Sequence, residues 1–310
     1  MTEDAAQRQA PPRKRPMIWA VGGGKGGVGK SVIATNLGVA VARRGQHCVL
    51  VDADLGGANL HTMVGLPLAK VTLSSLFNRG SASVSDLITP TGIPNLDLIS
   101  GADALFDMAN LKHAQKLKLI RQLTTIDADV VVLDLGAGSS FNVIDFYNTA
   151  HNPILVVVPT PTSIENAYHF LNAALHRCFK QAVAKAEVTE LANQALAEKH
   201  SHGIRSVRDL VRYISQEAPE AGLAINTAMA AQRPKVIVNQ VRREEDLHLS
   251  DHIAVACRNF FGVILEPLGA VRNDDRVIAS ILAKKPLLSS QPNCQFSTVI
   301  DAMALRLIHS

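Results

Sequence analysis

The segment Gly24-Lys25-Gly26-Gly27-Val28-Gly29-Lys30-Ser31 has the spacing GxxxxGK[ST]. Such spacing builds an anion cradle. The glycines let successive backbone N–H groups turn inward around a phosphate, and a helix opening at the lysine adds the positive end of its dipole. Lys30 would then reach the β- and γ-phosphates of a nucleotide, and the Ser31 hydroxyl would ligate Mg2+. Two further segments deliver carboxylates: VLVDADLGG ends an apolar run in Asp52 and Asp54, and VVVLDLGAG ends another in Asp134. Carboxylates just past strand ends, beside a phosphate loop, hold a metal directly or through water, or orient a water for attack. Gly136 and Gly138 leave room for their loop to approach a γ-phosphate, which would let it distinguish ATP from ADP. A single strand-end aspartate is a weak sign, because it often only caps a turn. Three of them, in series with the loop, point to phosphoryl chemistry.

These residues need strands that end at one edge. Buried-strand runs occur at MIWAV from Met17, CVLVDA (48–53), LDLIS (96–100), VVVLDL (130–135), PILVVV (153–158), KVIVNQ (235–240) and VILEPL (263–268). Helical stretches lie between most of them, at 31–44, 111–126, 162–180 and 275–285. This alternation predicts an α/β fold, a mostly parallel twisted sheet flanked by helices with right-handed crossovers. The interval 181–233, rich in Ala, Glu, Lys and Leu, predicts a helical insertion of two or three helices without a core of its own. The organisation expected is a disordered basic tail over 1–16 and a single domain over 17–310. At the C-terminus, Phe296, Val299, Ile300, Met303, Leu307 and Ile308 recur at helical spacing with Arg306 as the one basic residue. That pattern predicts a packed terminal helix rather than a membrane foot, which would carry several cations.

At 47% hydrophobic and 19% charged residues, the chain of 310 can bury a core, which excludes wholesale disorder. No apolar run is long enough for a membrane span, and the N-terminus lacks the apolar stretch of a secretory leader. Cys48, Cys178, Cys257 and Cys294 lie far apart, with no CxxC pair, as expected for buried or free thiols of a cytoplasmic protein. The net charge is +4. Arg8, Arg13, Lys14 and Arg15 against Glu3 and Asp4 put half of that excess in the tail, so the body is close to neutral.

Lys25 is more than a phosphate loop requires. With it, the motif GKGGxGK[ST] resembles the deviant Walker A sequence of the MinD/ParA class of P-loop ATPases, which is matched here throughout. The resemblance implies a SIMIBI-type P-loop NTPase fold, ATP and Mg2+ as cofactors, ATP hydrolysis, and an ATP-dependent homodimer. It makes Lys25 the lysine that reaches the partner's phosphates and Lys30 the one that serves its own. The DAD segment is similar to switch I of the class, which implies that Asp54 positions the hydrolytic water and Asp52 lies in the metal shell. Asp134 is similarly matched to the Walker B metal carboxylate. The DLGAG loop and the spacing Pro161-Thr162 to Ala167-Tyr168 are similar to the flagellar-number regulator (FlhG/FleN) branch. KVIVNQVRREED resembles the strand whose asparagine reads adenine, which implies that role for Asn239. LGAVRNDDRVIASILAKKPLL resembles the segment closing the adenine pocket, with Arg272 where the family has a proline.

The resemblance covers most of 17–290 except the insertion. It implies a switch that controls placement or number of a cellular structure, flagellar in this branch. The expected partners are a second copy and a protein not named by the sequence. The expected location is the cytoplasm, with peripheral contact at the membrane or cell pole as a weaker expectation. Two departures stand out: the tail lacks the short activating motif of flagellar members, and the insertion is longer than the family's usual connection. A DNA-partitioning ATPase of the ParA kind is the alternative. The insertion disfavours it, because Lys199, Arg205, Arg208 and Arg212 are interleaved with Glu187, Glu190, Glu198, Asp209 and Glu217. An iron–sulfur carrier is disfavoured further, since no cysteine lies in the DLGAG loop.

Overall fold

Strands too apolar to face water on either side must be covered by helices twice over, and the sheet is built in that way. The computed structural model describes residues 15–54, 57–78, 83–101, 113–261 and 263–310. Most of the predicted tail (1–14), the first two residues of the helix expected over 111–126, and Leu55 and Gly56 after Asp54 lie outside the described residues. The strands are β1 (Met17–Gly22), β2 (Cys48–Ala53), β3 (Ile88–Pro90), β4 (Leu96–Ile99), β5 (Val130–Leu135), β6 (Asn152–Val157), β7 (Lys235–Val241) and β8 (Glu266–Arg272). They form one sheet in the order β3-β4-β2-β5-β1-β6-β7-β8. Every neighbouring pair is parallel except β3 with β4, which is antiparallel at the edge. The fold is therefore the mostly parallel α/β sheet that the sequence predicted.

The helices are α1 (Lys30–Ala42), α2 (Leu60–Met63), α3 (Ser75–Asn78), α4 (His113–Leu123), α5 (Phe141–Thr149), α6 (Pro161–Lys185) and α7 (Thr189–Ala197), followed by α8 (Val207–Glu217), α9 (Pro219–Ala230), α10 (Leu249–Phe261), α11 (Asp275–Leu282), α12 (Leu287–Ser290) and α13 (Gln295–Ile308). Alternate residues of each strand feed two cores. In β1, Ile18 and Ala20 pack with α4, α5, α6 and α10, whereas Trp19 and Val21 pack with α1, α12 and α13. The expected terminal helix is α13. Its stripe of Phe296, Ile300, Met303 and Leu307 is buried in the second core, and Asp301 receives a bidentate pair from Arg44 at 2.5 and 2.7 Å.

Two expectations are corrected. The run VILEPL was read as a strand from 263, but pairing begins at Glu266, where the Glu266 N–H donates to the carbonyl of Pro234. Val263 and Leu265 are instead buried as packing residues, a choice that apolar content alone does not distinguish from pairing. The insertion was expected to lack a core, yet Phe179 and Val183 of α6 gather Ala192, Ile204, Leu210, Ile214 and Ile225 into a third buried cluster. The physical reason is α6 itself, which runs past the sheet to Lys185 and gives α7, α8 and α9 an apolar face to close on.

Candidate active site

The order of strands reverses around β1: the chain goes from β1 to one side through β2, and from β5 crosses to β6 on the other. In parallel α/β sheets the crevice outside the carboxyl ends at such a point is the natural ligand site. The residues of the phosphate loop, Asp52, Asp54, Asp134 and Asn239 come together there.

The loop from Gly23 to Lys30 leaves β1 and enters α1. Gly29 sits at the N-cap of α1 with φ 90°, and no side chain caps the helix. By contrast α5, α6 and α8 are capped by Ser140, Thr160 and Ser206. No side chain takes up the first-turn N–H groups of α1, a feature shared with α7 and α9, and at the end of a glycine-rich loop this leaves them available to an anion. Gly24 fixes the loop from behind: a Cβ there would lie 2.1 Å from the Asn166 carbonyl oxygen of α6. The two lysines part company. Lys30 is buried, and its ammonium is 3.4 Å from the Lys25 carbonyl oxygen. Burial lowers the Lys30 pKa, against the pull of the nearby Asp134 and Asp54 charges. Lys25 is exposed, and its ammonium donates to Thr162 Oγ1 at the start of α6, 3.1 Å away.

Asp52 and Asp134 are register partners across β2 and β5 and both are buried. Burial pushes the Asp134 carboxyl up to about 8, reinforced by Asp52 and opposed by the Ser31 hydroxyl bond and Lys30. Burial likewise pushes Asp52 up to about 6, opposed by the Leu60 and Asp54 N–H groups. Those two amides occupy the Asp52 oxygens, at 2.9 and 3.3 Å, so Asp52 braces the loop that carries Asp54. Asp134 Oδ1 is buried with no partner. An unpartnered carboxylate oxygen beside the Ser31 hydroxyl is a fit for a divalent cation, which would also relieve the crowding of three carboxylates around one lysine. A Cβ on Gly26 or Gly27 would meet nothing within 4 Å, so this part of the loop is open to solvent.

The loops after β2 and β5 touch each other and the cradle. A Cβ on Gly136 would lie 3.0 Å from Asp54 Oδ1, so the Asp54 carboxylate rests on the Gly136 backbone. The Gly138 N–H donates to the Gly23 carbonyl oxygen at 3.3 Å. At the end of β7, the Asn239 amide donates to the Val28 carbonyl oxygen at 2.9 Å and is buried under the loop. Its neighbour Gln240, at φ 57°, donates to the Gly27 carbonyl oxygen at 3.1 Å. Sequence reading missed Gln240, because nothing in its type announces a left-handed backbone. It also missed that Asn239 holds the phosphate loop. Arg272, at the end of β8, is ion-paired with Glu244 of the turn after β7.

A family model described as ParA, NUBPL iron-transfer P-loop NTPase, matches residues 15–184. The chain is similar to antiactivator FleN of Pseudomonas aeruginosa, with 36% identity over 153 residues, 49% of this chain and 54% of that protein. It is also similar to the flagellum site-determining protein YlxH of Helicobacter pylori, 32% identical over 151 residues, 48% of this chain and 50% of that one. The chain thus spans about half the length of these curated relatives. In fold it resembles MinD of the MinC:MinD complex from Aquifex aeolicus, with TM-score 0.62 at 17% identity over 95% of this chain and 96% of that one. Pyrococcus horikoshii MinD complexed with Mg-ADP gives 0.59 at 18% identity, over 94% and 96%. With the phosphate loop and its carboxylates assembled at one sheet edge and more than half of the chain matched, the protein belongs to the MinD/ParA family of P-loop NTPases.

Proposed function

We propose that the chain is an ATPase that alternates between a monomer and an ATP-held homodimer, and that the dimer controls the placement or number of a cellular structure, the flagellum in the first instance. The observation that carries the reading is the division of the two lysines, one buried in its own cradle and one exposed at the rim. The N–H groups of the Gly24–Ser31 loop and of the uncapped first turn of α1 bind the phosphates, and Lys30 offsets their charge. Ser31 and Asp134 would hold Mg2+, with Asp52 in its outer shell, and the ion would neutralise charge on the β- and γ-phosphates. Asp54 orients the attacking water and is set in place by Gly136 beneath it. Lys25 leaves Thr162 and reaches the phosphates of the second subunit. Asn239 and Arg272 flank the base, Asn239 while it braces the loop. The flagellar assignment leans on the similarity to FleN and YlxH.

The test is mass in solution. Asp54→Ala with saturating ATP and Mg2+ should run as a dimer; a monomer would overturn the switch. Lys30→Ala should lose nucleotide binding, whereas Lys25→Ala should bind nucleotide and fail to dimerise. Equal losses in the two would refute their separate roles. The matched family model carries iron transfer in its description. Cys48, Cys178, Cys257 and Cys294 are all free and buried, on β2, α6, α10 and the residue before α13, none of them on the loop after Asp134. That distribution favours the ATPase switch over an iron carrier.

A further inference from the structure

The insertion carries a cavity of about 1190 Å3 between α6, α7 and the start of α8. Its floor is apolar, made by the buried Leu175, Phe179, Val183, Ala192, Ile204 and Leu210. Leu196 belongs to the same wall and is 47% exposed. The charged side chains lining it are of one sign. Lys180, Lys199, Arg205 and Arg208 are all exposed there, and no Asp or Glu is among the described lining residues. In sequence this region reads as mixed charge, but the fold sorts it. Asp209 is taken up at the start of α8 by the Arg205 N–H at 3.1 Å and the Ser206 hydroxyl at 2.8 Å, and it pairs with Arg212 at 3.6 Å. Glu198 lies 3.2 Å from His202. Among the described residues, none of the four rim cations is ion-paired with a carboxylate.

We propose that this groove docks an acidic amphipathic helix of a partner protein, its apolar stripe on the Phe179, Ile204 and Leu210 floor and its carboxylates against Lys180, Lys199, Arg205 and Arg208. An amphipathic helix matches an apolar trough with charged banks, which is a recurring mode of peptide recognition. The volume exceeds the roughly 300–1,000 Å3 of small-ligand pockets. A nucleic acid would meet the same cations but leave the apolar floor uncovered. The chain's own N-terminal 15 residues carry Arg8, Arg13, Lys14 and Arg15 against Glu3 and Asp4, so charge disfavours them as the occupant. The inference does not rest on the nucleotide reading, and its test uses no nucleotide.

The full chain is titrated into two fluorescein-labelled synthetic helices with leucines at i, i+3, i+4 and i+7, one flanked by Glu and the other by Lys. The Glu-flanked helix should bind, with an affinity that falls as salt rises, and the Lys-flanked helix should not. Arg205→Glu combined with Arg208→Glu should weaken the Glu-flanked helix about tenfold or more and favour the Lys-flanked one. Leu196→Ser should weaken binding without reversing the charge preference. These three positions are exposed, and an unchanged thermal midpoint confirms that each variant folds. Absence of binding by the Glu-flanked helix, or binding unaffected by either variant, overturns the proposal. So does preferential binding of phosphatidylglycerol vesicles or duplex DNA through these cations, or self-association of the chain that the double charge reversal abolishes.

Discussion

Gly24 and Gly26 stand two residues apart in one motif, yet alanine at each should fail for a different reason. A methyl on Gly24 would sit 2.1 Å from the Asn166 carbonyl oxygen and 2.5 Å from its carbon, both backbone of α6. Those atoms lie in a helix and cannot swing aside, so the loop and α6 must separate by about 1 Å. Overpacking of this kind costs about 1–3 kcal/mol. A methyl on Gly26 meets no protein atom within 4 Å, and Gly26 is not among the glycines held at positive φ. Gly26→Ala should therefore fold as the wild type does, so any loss of nucleotide binding in it reports on the space beside the loop and not on the fold. Differential scanning fluorimetry with and without nucleotide separates the two. A ligand at a hundredfold over its Kd stabilises a protein by about 2.7 kcal/mol, which for a chain of this size raises the melting midpoint by roughly 5 °C. Without nucleotide, Gly24→Ala should melt several degrees below wild type and Gly26→Ala within a degree or so. With ATP and Mg2+, Gly26→Ala should lose the rise altogether. A full nucleotide shift in Gly26→Ala, or equal destabilisation of both apo proteins, would refute the placement of the cradle.

Gly136→Ala puts a methyl 3.0 Å from Asp54 Oδ1, the mobile end of a side chain, so stability and nucleotide affinity should hold. If Asp54 has the role proposed for it, its displacement should lower single-turnover phosphate release at least about tenfold; an unchanged rate would separate Asp54 from the chemistry. Asp145 of α5 is buried against Lys116 of α4 and Arg177 and Gln181 of α6. Asp145→Asn leaves Lys116 buried without its counter-charge and should cost about 3 kcal/mol in urea unfolding at pH 7. Burial raises the Asp145 carboxyl pKa, but the Arg177 and Lys116 bonds outweigh it and hold the group below its ordinary value. The stabilisation is therefore complete above the usual carboxylate range and lost as pH falls through the depressed native value. The gap between wild type and Asp145→Asn should begin to narrow below about pH 4 and close only below the depressed native value; a gap independent of pH would mean that packing, not charge, holds the cluster.

The site was legible where type and spacing dictate geometry. The phosphate loop, Asp52, Asp54 and Asp134 stand where the ends of β1, β2 and β5 put them, and the predicted ranges of β2 and β5 coincide with the strands. Parallel central strands announce themselves because both faces are buried and the apolar run is unbroken. What escaped depends on contacts between distant segments. β3 is three residues long with a partly exposed face, and its pairing with β4 is decided by the fold. The start of β8 turns on the bond from Glu266 to Pro234, not on the hydropathy of 263–265. Asn239 was read as a base contact from a matched segment, but its grip on Val28 needs β7 beside the loop.

α6 has no glycine and no proline after Pro161, and over 25 residues it spans about 37 Å. Its first two turns meet Lys25 and the back of Gly24, and its last turns supply floor and bank to the groove of the insertion. The phosphate loop and the groove therefore share one rigid element, so a displacement of the first turns of α6 would be felt at its far end.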